Sequence, residues 1–441
     1  MFSNKDLRKL IIPIFLDQIL IIGVGIIATM MLSYAGEAAV SGVSLVDMIN
    51  ILVVTMLAAL TTGGTVIVSQ YIGHKDKDKA CNAASQLVLI SSIISIGVVI
   101  IVLLFHKFIL RITFGNISSD VMSAAITYFV ISGLSYPFLA VYDCGAALFR
   151  SMGNSRIPMI VSIVMNSLNL VGNAIGIFVL HEGVAGVAVS TVIARVIAAV
   201  IMLYLSFNKN NKVFIRFSEI FSWNSEMIKR ILNVAVPSGI ENGIFQLGRI
   251  LIISIITTFG TTQIAANGIS SSLVLISITF ASAINLAIVT VTGQCIGAGD
   301  YLQATYYTKK LIKIAYIGTI ISSLGEILLL NWLLNLYSLP SDVRHLVYIL
   351  TVIHNCFAIV LWPASFTLPN ALRAAGDVRF TMVLSISSMI ICRLLFAYIF
   401  GIVFNLGAIG VWMAMGLDWL SRSVIYILRY RSGKWKDFQV I

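Results

Sequence analysis

Long apolar runs, broken by short polar clusters, make up nearly the whole chain. A bilayer core about 30 Å thick is crossed by roughly 20 apolar helical residues. On that length the pattern predicts helices near 9–33, 45–71, 83–105, 121–148, 157–180, 184–206, 230–258, 268–295, 310–335, 345–371, 380–403 and 407–429. The runs are continuous rather than alternating, which excludes a membrane β-barrel. The first run follows Lys5, Arg8 and Lys9 and is too long for a signal-peptide core, so it reads as a spanning helix.

Composition supports a lipid-facing surface. Hydrophobic residues make up 59% and charged residues 11% of the 441 positions, where a soluble domain carries about a quarter charged. The net charge of +11 is gathered in short clusters between apolar runs and forms no basic stripe with interleaved aromatics, so no nucleic-acid partner is expected. With a cytoplasmic N-terminus, 22 basic residues fall on the cytoplasmic side and only Lys107, Arg111 and Arg344 opposite. That bias places both termini in the cytoplasm. Cys81, Cys144, Cys295, Cys356 and Cys392 form no CxxC pair, so neither a disulfide framework nor a zinc site is expected.

The halves repeat at an offset of about 224 residues. Pro13 with Asp17 matches Pro237 with Glu241, and Gln70-Tyr71-Ile72-Gly73 matches Gln294-Cys295-Ile296-Gly297. Ala147 to Gly153 matches Ala371 to Gly376 with one residue slipped, and Gly186-Val187 matches Gly410-Val411. Six helices per half make the repeat parallel. The expected fold is an all-α integral membrane protein: twelve transmembrane helices as two six-helix bundles, related by a pseudo-twofold axis along the membrane normal. Residues 1–206 and 230–441 are read as the two lobes and 207–229 as an interfacial cytoplasmic linker. A repeat of this kind favours a transporter, with one lobe rocking against the other.

Several motifs sit at matching helix ends. They are Gly36-Glu37-Ala38-Ala39-Val40-Ser41-Gly42, Ser69-Gln70-Tyr71-Ile72-Gly73, Leu148-Phe149-Arg150-Ser151-Met152-Gly153-Asn154 and Leu372-Arg373-Ala374-Ala375-Gly376-Asp377. Together they resemble the multidrug and toxin extrusion (MATE) family over nearly the whole chain. The resemblance implies efflux of cationic, amphipathic drugs or metabolites by proton or sodium antiport, in a bacterial inner membrane. Three carboxylates that members of the family often carry are replaced here by Ala28, Phe245 and Trp362, so coupling must be sought elsewhere.

Ionisable groups within spans are expensive and point to function. Asp17 and Glu241, each four residues after its proline, are candidates for a symmetric proton-exchanging pair, with helix-to-helix hydrogen bonding as the alternative. Asn166, Asn169 and Asn173 share a helix face, and Thr191 lies at similar depth on the next helix. Amide and hydroxyl oxygens suit sodium, and by resemblance Asn169, Asn173 and Thr191 fall where the family's amino-terminal cation site lies. Interhelical amide bonding explains them equally well. Arg393 and Asp418 are expected at equal depth as an ion pair, a structural one before a proton-linked one, with Arg422 sharing the carboxylate. Asp143 and Arg249 are given no partner, and Arg195 and Glu326 are read as snorkelling or helix-end groups. Phe245, Gln246, Trp362, Arg249 and Met30 are candidates to line a substrate cavity, with Met31, Met382 and Met389 as further polarizable residues.

No phosphate loop, HExxH or Ser/His/Asp grouping occurs. The expectation is therefore a monomeric, non-enzymatic exporter of small organic cations in contact with membrane lipid. Its only cofactor-like partner is the transported proton or sodium ion. The rival expectations are a flippase for lipid-linked saccharides, marked by a basic cavity, and a non-transporting membrane sensor.

Overall fold

The computed structural model describes residues 1–115, 117–337, 339–438 and 440–441, and among these it contains helices and no strand. The first half holds α1 (Asn4–Ser33), α2 (Glu37–His74), α3 (Lys77–Phe114), α4 (Ser119–Gly133), α5 (Tyr136–Ser151), α6 (Arg156–Val179) and α7 (Gly183–Ser206). A short helix, α8 (Phe217–Ile220), lies in the connector. The second half holds α9 (Ser225–Thr257), α10 (Thr261–Leu273), α11 (Leu275–Gly297), α12 (Tyr301–Asn335), α13 (Ser341–Ala374), α14 (Val378–Val403) and α15 (Gly407–Arg431).

Among the described residues, ten helices have the length and apolarity of a span, and α4 with α5, bent by 45°, forms an eleventh. The twelfth is α15, 25 residues long. Its buried Asp418 and Arg422 lower its hydropathy, but they are covered by protein and need no lipid-compatible surface. Twelve transmembrane helices, six per half, thus answer the twelve apolar runs. Several extend past those runs. α2 and α3 are each 38 residues long, or about 57 Å at 1.5 Å per residue, well beyond the hydrocarbon core.

Polar caps open three of the helices. The Ser3 hydroxyl accepts from the Asp6 amide, and the Asp6 carboxylate accepts from the Ser3 amide, closing a capping box. Asp76 accepts from the Lys79 amide at 3.0 Å and opens α3. Asp300 accepts from the Gln303 amide at 2.9 Å and opens α12. These two caps lie 224 positions apart.

The backbone repeats at the same interval. Positive φ angles occur at Gly36 and Gly260, Lys75 and Gly299, His181 and Asn405, and Gly183 and Gly407. Gly153 and Gly376 form a fifth pair, one residue short of the offset. A π-helical turn at Ile175–Val179 has its counterpart at Ile399–Val403. Close packing repeats too. A Cβ on Gly186 would meet the Gly176 Cα at 2.7 Å, and one on Gly410 would meet the Phe400 carbonyl carbon at 2.6 Å. Small residues let helix backbones approach where lipid supplies no hydrophobic drive. Two further π turns, Pro363–Thr367 in α13 and Met389–Leu395 in α14, occur only in the second half.

By internal contacts the chain forms two compact units, residues 2–239 and residues 240–441 with Met1. The boundary falls within α9, just past Pro237. The first unit is cored by Val46, Leu57, Phe129, Tyr136 and Ala188, with a second cluster at Tyr142, Phe149, Val161 and Met202. The connector belongs to this unit. Gln86 of α3 donates to the Glu219 and Ser222 carbonyls at 2.7 and 2.6 Å. Arg216 pairs with Asp78 and with Glu219, and the Asp78 carboxylate beside it holds its guanidinium above the ordinary arginine range. Phe217, Phe221 and Trp223 remain exposed.

Candidate functional site

In the first unit Asp17 stands on α1, one turn after Pro13. It is 5% exposed, and its Oδ1 makes no hydrogen bond. Ser162 of α6 and Arg150 at the end of α5 are its polar surroundings. Glu241 occupies the matching place on α9 and is equally buried, but its partners are closer. Arg373 Nη2 donates to its Oε1 at 2.6 Å, and Arg422 Nη2 lies 4.0 Å from the same oxygen. Both halves thus put an acid after the proline and an arginine at the Arg-Gly turn near it. Only the second closes them into an ion pair. The expected symmetry of Asp17 and Glu241 holds for position and fails for bonding.

A second constellation in this unit was not legible in the sequence. Asp47 of α2 accepts from the Asn50 amide at 3.1 Å, and Asn50 in turn accepts from the Tyr136 hydroxyl at 2.5 Å. Tyr128 of α4 lies beside Asp47. Arg195 of α7 donates to Ser135 at 2.6 Å and faces Asp47 and Asp143. Arg195 is therefore no snorkelling group; a bundle of polar partners holds it. Asp47 escapes notice in the sequence because the apolar run starts just before it. The helix itself begins ten residues earlier, at Glu37.

Asn169, Asn173 and Thr191 do come together. Asn169 donates to the Thr191 hydroxyl at 2.9 Å, and Asn173 donates to the Asn169 carbonyl at 3.3 Å. Ser190 donates to the Asn173 carbonyl at 2.5 Å. Each side-chain oxygen of the three already accepts a hydrogen bond, so a cation would have to displace these donors. Asn166 turns back to Ser162 of its own helix.

In the second unit Arg393 Nη1 lies 3.7 Å from Asp418 Oδ2, as expected, and Ser388 donates to Asp418 Oδ1 at 2.5 Å. Arg422 does not share that carboxylate. Spacing along α15 puts the two on adjacent turns, but Ser388 and Arg393 of α14 take up Asp418. Arg422 runs instead toward Glu241 and donates to Ser385 at 3.1 Å. Its guanidinium sits 4.6 Å from the Phe366 ring centre and 5.4 Å from that of Phe245. Trp362 stacks on Phe366 at 5.1 Å. Phe245 and Trp362 thus converge on a ring the sequence reading did not single out.

The other expected residues divide. Gln246 is half-buried on α9, and Arg249 is exposed one turn beyond Phe245. Met30, in the first unit, is exposed, while Met389 is fully buried against Gly248. Glu326 is also no snorkelling group. It is 3% exposed on α12, neither oxygen makes a hydrogen bond, and Ser277 of α11 and Asn355 of α13 are its polar neighbours.

The repeat carried by these constellations has a known counterpart. The MatE family model matches residues 13–175 and again 237–399. The chain belongs to the MatE family. The two matches start 224 residues apart and end 224 residues apart, the interval that relates the caps, the positive φ angles and the π turns. An uncharacterized transporter of Bacillus subtilis, YisQ, is 29% identical over 434 residues, covering 96% of this chain and 93% of that protein. A probable multidrug resistance protein of Thermotoga maritima, NorM, is 27% identical over 452 residues, covering 99% and 94%. Among solved structures, an outward-facing multidrug resistance MATE family transporter superimposes with a TM-score of 0.91 at 22% identity, covering 98% of this chain and 97% of that one. The chain is a multi-pass membrane transporter of a multidrug efflux family, and its likeness to the solved structures extends over the full fold.

Proposed function

We propose that the chain is a secondary-active exporter of amphipathic organic cations, driven by an inward proton or sodium gradient across a bacterial cytoplasmic membrane, with both termini cytoplasmic. The cycle is alternating access. The observation that carries this reading is a set of intramembrane carboxyl groups outside any ion pair. Asp17 and Glu326 are buried with unpartnered oxygens, and Asp143 forms no ion pair among the described residues. A charged group in such a place is costly unless it binds a proton or a cation, which is what a coupling site must do in one half of the cycle. The basic bias of one set of loops supports the orientation. The curated relatives, one of them described as a probable multidrug resistance protein, support export.

Among these groups Asp17 is the first candidate for coupling, because Glu241 is already committed to Arg373. Asn169, Asn173 and Thr191 bond one another and Ser190, which supports an interhelical role for them rather than sodium ligation. The test is dye efflux from cells that express the chain, with the proton and sodium gradients collapsed one at a time. Asp17→Asn should abolish gradient-driven efflux while the protein still reaches the membrane. Wild-type efflux from Asp17→Asn, or efflux indifferent to both gradients, contradicts the proposal.

A further inference from the structure

The internal repeat separates what a six-helix half needs from what one half alone has. Caps, positive φ turns, one π turn and an acid after the proline with an arginine near it occur in both. Three arginines do not. At the repeat offset Arg249, Arg393 and Arg422 correspond to Gly25, Asn169 and Ala198. The extra π turns of the second half lie at the same place. One carries Phe366 and the other carries Arg393. π turns inserted in helices are frequent at functional sites.

The charge there does not balance. Arg249, Arg373, Arg393 and Arg422 face Glu241 and Asp418, leaving two positive charges in excess, with only Arg249 of the four exposed. The remaining buried acid of this unit, Glu326, lies against Ser277 and Asn355 instead. Arg422 is 2% exposed, yet its Nε and Nη1 have no hydrogen-bond partner. Glu241 gives it charge but no hydrogen bond: Oε1 lies 4.0 Å from Arg422 Nη2 and is bound by Arg373 at 2.6 Å. Arg393 holds Asp418 only at 3.7 Å, and the exposed Arg249 is near enough to repel it. Buried guanidinium donors left free beside surplus positive charge favour binding of an anion.

We propose that the second unit holds a site for an oxyanion, a carboxylate or phosphate borne by an amphipathic substrate, bound by Arg422 and Arg393 with Arg249 at its exposed edge and Phe245 and Phe366 against the apolar part. Guanidinium forks match both oxyanions in geometry. The inference rests on the exporter reading and adds a charge requirement to it. Transported organic cations then carry an anionic group as well, and a purely cationic amphiphile binds more weakly.

The test is equilibrium binding to the purified full-length protein in detergent, without any gradient. The probes are a rhodamine dye with a free benzoate and the same dye as its methyl ester. The free acid should bind about tenfold tighter or better, the effect of one or two charge-assisted hydrogen bonds. Arg422→Gln should bring the acid down to the affinity of the ester and leave the ester unchanged. Because a buried substitution can impair folding, Arg249→Gln at the exposed edge provides the second variant, with a loss of a few-fold for the acid alone. Short-chain phosphatidylglycerol and free benzoate are then compared as competitors. Displacement by the lipid alone makes the anion a headgroup phosphate, and displacement by benzoate makes it a soluble carboxylate; either supports the site. Equal affinity of acid and ester in the wild type overturns it, as does an acid preference that survives both substitutions. An acid preference together with gradient-independent transport would keep this site and remove only the exporter reading.

Discussion

Glu241→Gln should destabilise the protein far more than Asp17→Asn, although the two acids occupy equivalent places in the repeat. Glutamine keeps the size of the side chain and an oxygen for Arg373, but it removes the negative charge. Two guanidinium groups then remain, with side chains only 13% and 3% exposed, without their counter-charge. Breaking a buried pair by removing one partner costs about 3–5 kcal/mol. Asp17 has no ion pair to lose, so Asp17→Asn should stay within about 1 kcal/mol. For a unit of some 200 residues each kcal/mol moves the melting midpoint by roughly 2–4 °C. The first variant should therefore melt at least roughly 6 °C lower in detergent and the second within a few degrees of wild type. Adding Arg373→Met to Glu241→Gln should recover part of the loss, because the uncompensated cation goes with it. Similar small shifts for both single variants would refute the asymmetry on which this reasoning stands.

The remaining predictions concern the scaffold. Gly186→Leu and Gly410→Leu should each cost about 1–3 kcal/mol or more by overpacking, whereas Gly25→Ala, where no atom lies within 4 Å of the added carbon, should be neutral or slightly stabilising; thermal melts of the three compare them directly. Asp76→Ala and Asp300→Ala should each lose about 1 kcal/mol of cap energy, read as faster hydrogen exchange in the first turns of α3 and α12. The Lys79 amide holds the Asp76 carboxylate below its ordinary range. Since the folded value is the lower one, this cap contributes stability above the ordinary aspartate range and loses it as pH falls through the depressed value. Exchange in the first turn of α3 should accordingly rise only in strong acid, and a rise near neutral pH would count against the cap.

The sequence read clearly where one physical signal dominated. Apolar length marked twelve helices because lipid demands it, and the repeat was visible because helix-end motifs such as Gly186-Val187 and Gly410-Val411 serve close backbone contacts that only small residues permit. Helix ends were less legible. α3 starts ahead of its apolar run on the Asp76 cap, and α2 starts eight residues ahead of its run, which moves Asp47 from the predicted helix end well into the helix. Partners were the least legible. Arg422 follows Asp418 by one turn, and local spacing alone gives it that carboxylate. Which side chain a long arginine reaches is decided by α14 and α9, and no pattern along α15 reports their positions. The difference between Asp17 and Glu241 has the same origin. Arg373 closes on Glu241 at 2.6 Å, and Arg422, standing where the first half has the buried Ala198, adds a second guanidinium at 4.0 Å.

The central claim is that this MatE chain couples cation movement to solute export through its lone intramembrane carboxyls. The most direct measurement is simultaneous recording of dye and ion flux in proteoliposomes of the purified protein. An imposed proton or sodium gradient should drive dye against its own gradient, and an opposing dye gradient should drive the same ion back, with both fluxes lost in Asp17→Asn. Dye that only equilibrates, with no ion moving in return, would contradict it.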